Sequence, residues 1–334
     1  MKFIQRLTLV ALLGCTACTR SNLQTQRQSS PPPQRVEIRL PVSAPFHFVV
    51  YGDSRFHDPK DTEAANPAAR QGLVKAIAQT NPAFISFGGD IVYNGYDKDD
   101  WKVYDSETAV WREKQIPVYP ALGNHDLHGN EEVALGNYFE RFPELKNSLY
   151  YSVRAANTLM LVLDSALDET SGLQGQWLTQ KLDNLPDDVD FVLIVLHHPP
   201  YTSSSDFKMF GGGHSPRWQE INLAEMLEAR QQSLRARIIV FSGHVHNYER
   251  HEHGGVTYFV TGGAGAHAYP IERAKDDPFQ SKEVNYHYLQ VEDDTGRLKI
   301  TMNRLDLTSG TAAWTQPDSV MISVSTTKAA APGR

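Results

Sequence analysis

Five short apolar runs punctuate the chain, and each stops at residues able to bind a metal. Phe48-Val49-Val50-Tyr51 leads into Gly52-Asp53, Phe84-Ile85-Ser86-Phe87 into Gly89-Asp90, and Val118-Tyr119-Pro120-Ala121 into Gly123-Asn124-His125-Asp126. Residues 191–196 lead into His197-His198, and Ile238-Ile239-Val240-Phe241 leads into Gly243-His244-Val245-His246. Runs of this length and composition predict buried strands. Between them, apolar residues recur at helical spacing. Leu73, Val74 and Ile77 mark a helix over 67–79, Trp101, Tyr104 and Trp111 one over 99–114, and Trp177, Leu178 and Leu182 one over 175–185. A fourth helix fits 218–232, and Trp101 and Trp111 read as core residues. Later segments are mostly β, with strands expected over 149–154, 158–163, 256–261, 286–292 and 298–305. This mixture predicts an α/β domain in which two packed mixed β-sheets are flanked by helices, a four-layer sandwich.

Composition narrows the class. Hydrophobic residues make up 40% and charged residues 21% of 334, the profile of a soluble globular protein. A formal charge of -7 leaves no basic excess to neutralise a phosphate backbone, so no nucleic-acid-binding surface is expected. Residues 1–15 read as an export signal: a short basic start, an apolar stretch from Leu7 to Gly14 too short to span a bilayer, then Cys15. Leu12-Leu13-Gly14-Cys15 resembles a bacterial lipoprotein signal, which implies a lipid anchor in a membrane, with Cys18 as the second candidate for acylation. Thr16 after the cysteine points to an outer membrane facing the periplasm; an ordinary cleaved signal would instead give a soluble periplasmic or secreted protein. Residues 16–45, with Ser29-Ser30-Pro31-Pro32-Pro33, read as a tether, 46–324 as one catalytic domain, and 325–334 as a disordered tail. Cys15 and Cys18 are the only cysteines, so any metal site in the domain must be built from oxygen and nitrogen.

A lone His-x-His pair says little, but five strand ends delivering oxygen and nitrogen donors are hard to explain by core packing. Asp53 and Asp90 supply hard anionic oxygens and the histidines borderline nitrogens, a mixture suited to iron, zinc or manganese. Two ions roughly 3.5–4 Å apart also need a bridging ligand such as a carboxylate. Glycine precedes Asp53, Asp90, Asn124 and His244, where the chain must turn sharply from strand to loop.

The ordered series Gly-Asp, Gly-Asp, Gly-Asn-His, His, Gly-His-x-His resembles the calcineurin-like metallophosphoesterases from Tyr51 to Arg250. Within them the chain is most similar to the purple acid phosphatases, through Gly89-Asp90-Ile91-Val92-Tyr93, His197-His198-Pro199-Pro200-Tyr201 and His244-Val245-His246-Asn247-Tyr248-Glu249-Arg250. The resemblance implies that Asp53, Tyr93 and His246 hold one ion and Asn124, His197 and His244 the other, with Asp90 bridging. His125 would be catalytic, binding a phosphate oxygen or aiding the leaving group, and His198 would stay off the ions as a packing histidine or substrate contact. Arg55 stands where many relatives carry a ligating histidine, and a guanidinium does not coordinate. Tyr93 would fill that place, unless it merely packs and water or His57 completes the site. Arg55 itself could clamp a phosphate or form an ordinary ion pair. His214, after Gly211-Gly212-Gly213, is a candidate substrate contact on a mobile loop, and Asp164 a loop-orienting carboxylate. Gly262-Gly263-Ala264-Gly265 lacks the lysine and context of a nucleotide-binding loop and reads as a tight turn.

The activity implied is hydrolysis of small phosphate monoesters, with a metal-bound hydroxide attacking phosphorus in line. Iron paired with zinc, manganese or a second iron is the expected cofactor. A phosphodiesterase acting on nucleotides or lipid head groups would use the same ions, and a surface-anchored binding protein could retain an inactive site. No cysteine-based or Ser–His–Asp nucleophile stands out as a competitor.

Overall fold

A computed structural model describes residues 36–204, 214–283 and 286–324. The chain runs β1 (Glu37–Leu40), β2 (Phe46–Tyr51), α1 (Pro67–Thr80), β3 (Ile85–Phe87), α2 (Lys98–Glu107), α3 (Ala109–Glu113) and β4 (Val118–Pro120). There follow α4 (Glu131–Arg141), β5 (Tyr151–Ala155), β6 (Thr158–Val162), α5 (Gly172–Asp183), β7 (Phe191–Val195), α6 (Trp218–Gln231) and β8 (Arg237–Ser242). The remainder is β9 (Tyr248–His253), β10 (Val256–Thr261), β11 (Tyr286–Asp294), β12 (Arg297–Asp306), β13 (Ala313–Thr315) and β14 (Ser319–Ser323).

Two seven-stranded mixed sheets result. One has the order β1-β5-β6-β7-β8-β10-β9; the other runs β13-β12-β11-β2-β3-β4, with β14 paired to β12. Alternation along β7 explains why they stack. Phe191, Leu193 and Val195 enter the core between the sheets, whereas Val192, Ile194 and Leu196 face the opposite way, onto Trp177, Leu178, Leu182, Leu223 and Leu227 of α5 and α6. Leu73, Val74, Ile77, Trp101 and Trp111 line the helices on the second sheet, giving the four layers expected.

Local chemistry sets the helix ends. Asn66 caps α1, its side chain accepting from the Ala69 amide at 3.1 Å, and Pro67 takes the first turn. The single helix expected over 99–114 breaks at Thr108, whose hydroxyl donates to the Tyr104 carbonyl at 2.6 Å. Residues 37–40, assigned to the tether by sequence, instead form a strand: this alternating Glu-Ile-Arg-Leu segment pairs in parallel with β5. β9 was not anticipated, because Tyr248-Glu-Arg-His-Glu-His carries charge where a strand signal needs apolar residues, and α4 was not either. The export signal, Cys15, Cys18, the loop glycines 211–213 and the tail lie outside the described residues. No helix among the described residues is long and apolar enough to cross a membrane.

Candidate metal centre

Asp53, Asp90, Asn124, His197 and His244 each follow the carboxyl end of a strand, namely β2, β3, β4, β7 and β8. Carboxyl ends are where open α/β sheets gather their ligands. Cross-links between the loops join them into one site. The Asp53 amide donates to the Gly89 carbonyl at 2.9 Å, the Gly243 amide to the His197 carbonyl at 2.9 Å, and the Ala266 amide to the Asp53 carbonyl at 2.8 Å. Asp53, Arg55, Asp90 and His244 all have left-handed backbones, with φ of 64°, 46°, 52° and 69°. Non-glycine residues hold such angles only where their surroundings over-determine them, and they cluster at functional sites.

The side chains converge from both sheets. Both Asp53 carboxylate oxygens accept the His244 amide at 3.0 Å, and His246 Nε2 lies 3.7 Å from Asp53 Oδ1. Asp90 Oδ1 accepts the His125 amide at 2.9 Å and lies 3.4 Å from His197 Nε2, while Arg55 Nη2 donates to Asp90 Oδ2 at 3.3 Å. Asn124 Oδ1 is 3.0 Å from His197 Nε2 and 3.1 Å from His244 Nδ1, and those two nitrogens are 3.3 Å apart.

Tautomers decide whether this set suits a cation. His197 Nδ1 lies 3.0 Å from the Gly88 carbonyl and His246 Nδ1 2.9 Å from the His267 carbonyl. A carbonyl only accepts, so both Nδ1 atoms carry the hydrogen and both Nε2 atoms expose a lone pair. The His197 lone pair therefore faces Asn124 Oδ1, acceptor to acceptor. His246 Nε2 is buried with no hydrogen-bond partner among the described residues. Burial holds His197 below the ordinary imidazole pKa, and burial followed by the Arg55 charge holds His246 well below it, so both are neutral. Burial and then the Asp90 charge push Asp53 well above the carboxylate range. Asp90 feels the same burial, but His197 and His125 in their protonated forms, together with the permanent Arg55 charge, hold its carboxyl below the usual carboxylate range. The facing lone pairs of His197 and Asn124 and the unpartnered His246 Nε2, beside two buried carboxylates, lack an electrophile among the described residues, and metal ions fit that role. The donor atoms of Asp53, Asp90 and His197 lie within 4.8 Å of one another, as do those of His197, His198 and His244.

Residues 46–248, more than half of the chain, match the model of the calcineurin-like phosphoesterases. The chain belongs to the calcineurin-like phosphoesterase family. It is 29% identical over 145 residues to purple acid phosphatase 23 of Arabidopsis thaliana, covering 41% of this chain and 30% of that protein. Probable purple acid phosphatase 20 of the same plant is 30% identical over 229 residues, covering 65% of this chain and 49% of the relative. The chain thus spans half or less of the length of these curated relatives. Purple acid phosphatase PPD1 from yellow lupin, Lupinus luteus, shares the fold with a TM-score of 0.61 at 17% identity, over 88% of this chain and 55% of that one.

The remaining candidates surround this site, with Tyr93 at its exposed edge. Tyr93 is 38% exposed, its ring 5.0 Å from that of His57 and 5.3 Å from that of His125. His57 is occupied elsewhere: Nδ1 lies 2.5 Å from Asp100 and Nε2 3.2 Å from Asp61, which leaves it no nitrogen for a metal. His125 Nδ1 is 2.7 Å from the Tyr93 carbonyl, and burial, partly offset by Asp90, lowers its pKa to about 4. His198 Nδ1 bonds Ser165 Oγ at 2.8 Å, with its ring 4.5 Å from His244. The His214 ring lies 5.0 Å from His244 and 5.4 Å from Tyr269. Asp164 orients its loop as expected, accepting the Ala166 amide at 2.9 Å. The 262–265 segment is more than a turn. A side chain at Gly262 would meet the Val245 carbonyl at 2.2 Å, and one at Gly243 would meet Asp53 Oδ2 at 2.3 Å, so the loops pack backbone to backbone around Asp53.

Asp126 escaped the sequence reading. It is fully buried, and its carboxylate accepts the Ile91 and Val92 amides at 2.8 and 3.2 Å and the Gly123 amide at 2.9 Å. Burial and the Asp90 charge raise its pKa to about 8. It therefore ties the Asp90 loop to the Asn124 loop. Its place in Gly-Asn-His-Asp was a usable signal, since a buried acid needs donors and only nearby backbone could supply them.

Proposed function

We propose that the chain is a dimetal hydrolase of small phosphate monoesters, similar in action to the purple acid phosphatases. The observation that carries this is the pair of facing lone pairs on His197 and Asn124, with the buried, unpartnered His246 Nε2 beside Asp53, around buried Asp53 and Asp90 in a chain of the phosphoesterase family. Asp53, Tyr93 and His246 would hold one ion, Asn124, His197 and His244 the other, and Asp90 would bridge them. Such a pair, iron with zinc, manganese or a second iron, would polarise phosphoryl oxygens and acidify a water for attack.

The chain's own residues supply binding and proton control. Arg55 holds Asp90 through Nη2 while its side chain stays partly exposed, so its guanidinium can also meet a phosphate oxygen. The Tyr93 carbonyl fixes the His125 tautomer, with hydrogen on Nδ1 and the lone pair on Nε2. A pKa near 4 leaves this imidazole neutral at pH 7, and a nearby phosphate dianion would raise it, readying Nε2–H for the leaving oxygen. His198 and His214, beside His244, would contact the substrate's remainder. Export and a lipid anchor at Cys15, facing the periplasm, complete this reading on the strength of the Leu-x-Gly-Cys sequence.

Metal analysis with a phosphatase assay tests the proposal. Purified protein should carry close to two ions per chain, hydrolyse an aryl phosphate monoester faster than the matching diester, and lose that activity to a chelator. Full activity in metal-free protein would sink it, and a faster diester rate would convert it to a phosphodiesterase.

A further inference from the structure

Arg70 lies on α1 and is only 1% exposed. A buried guanidinium is tolerable only when its charge and its N–H groups are met. Glu107, at the end of α2, meets the charge as a two-pronged pair, Nε–Oε2 at 2.8 Å and Nη2–Oε1 at 2.7 Å. The other arms grip the loop after β2. Nη1 donates to the Arg55 carbonyl at 3.2 Å and Nη2 to the His57 carbonyl at 3.1 Å. The guanidinium carbon also lies 5.1 Å from the ring centre of the intervening Phe56. One helix side chain thus holds three consecutive loop residues.

The same loop is held from its other edge, where the Arg55 amide donates to the Asp90 carbonyl at 3.0 Å and the Phe56 amide to the Ile91 carbonyl at 2.8 Å. Arg55 needs both grips, because its φ of 46° is unfavourable for a side-chain-bearing residue. A merely structural ion pair would need Glu107 alone. Here the donors left over reach the main chain on either side of Phe56.

We propose that Arg70 is a positioning residue: it locks Arg55 in the left-handed conformation that aims the Arg55 guanidinium at the Asp90 edge of the site, where a phosphate oxygen would bind. The inference rests on the phosphate-ester reading above for the ligand. Arg70→Lys keeps a cation beside Glu107 but lacks the planar fork that reaches an acid and two carbonyls together.

The test uses full-length protein and inorganic phosphate, with binding measured by calorimetry on the wild type, Arg55→Met, Arg70→Lys and the double variant. Amide exchange is followed over residues 53–57. Arg70→Lys should speed exchange at Arg55 and Phe56 and weaken phosphate binding about tenfold. KM for an aryl phosphate should rise more than kcat falls. Because Arg70 acts through Arg55, the double variant should bind phosphate no more weakly than Arg55→Met. Additive losses, or wild-type exchange and phosphate binding in folded Arg70→Lys, overturn the inference. Should Arg70→Lys fail to fold, Glu107→Gln frees the same fork from its acid, and the same readings decide. A wild type that binds phosphate through Arg55 yet hydrolyses nothing defeats the hydrolase reading and leaves this one standing. A wild type that binds no phosphate overturns this one.

Discussion

The two halves of the candidate centre are built differently. Asn124, His197 and His244 stand within 3.0–3.3 Å of one another, drawn from three strand ends and fully in contact. On the other side His246 Nε2 is 3.7 Å from Asp53, without a hydrogen bond, and Tyr93 stands at the exposed rim. One half is shaped by its own side chains, whereas the other leaves a buried nitrogen that no group among the described residues satisfies. An unsatisfied buried polar atom is costly, so the looser half has more to gain from a bound ion.

Asp90 is the strongest lever on that contrast, since it touches His197 on one side and Arg55 on the other. Asp90→Asn should lower kcat by on the order of a thousandfold and remove both ions together. Loss of a single ion with the other still bound would break the idea that Asp90 joins the halves.

A smaller effect should separate the halves rather than join them. His246→Ala should lose the ion of the looser half alone, leaving about one ion per chain and activity down about tenfold to a hundredfold. If Tyr93 holds a ferric ion in that half, the iron-loaded protein is coloured by tyrosinate charge transfer and Tyr93→Phe bleaches it. Colourless iron-loaded protein, or a Phe variant with unchanged metal content and rate, would make Tyr93 a packing residue.

The smallest effect is in pH dependence and belongs to His125, between the halves. Its pKa of about 4 in the fold lies below the unfolded value of about 6.5, so unfolding takes up a proton between those limits. Metal-free protein should therefore lose stability from this group as pH falls from about 6.5 to 4, and lose no more below that. In denaturant titrations across this window, His125→Gln should show a pH slope shallower by up to about one proton. An identical slope would show that His125 does not titrate as the geometry requires. Asp53 and Asp126, whose pKa values are raised, act with the opposite sign, and the comparison with the variant cancels them.

Much of this was legible in the chain because strand ends advertise themselves. Five apolar runs stopping at Asp, Asn or His located β2, β3, β4, β7 and β8 and the residues that meet beyond them. β1 and β9 escaped because edge strands alternate charge with apolar residues and give no continuous run. His57 read as a possible ligand because a sequence shows a nitrogen and not the carboxylates that occupy it. Arg70 gave no signal at all. A basic residue on a helix reads as solvated, and only the packing of α1 against α2 and the loop after β2 reveals that it is buried.

The left-handed backbone at Asp53, Asp90 and His244 carries a consequence for anyone who evolves this protein in the laboratory. Glycine would relieve each of those positions and should steady the fold, yet it would delete a donor atom. Libraries screened only for heat resistance would drift toward glycine at 53, 90 and 244 and return sturdier, inert proteins, while libraries screened for turnover would hold the tense residues in place.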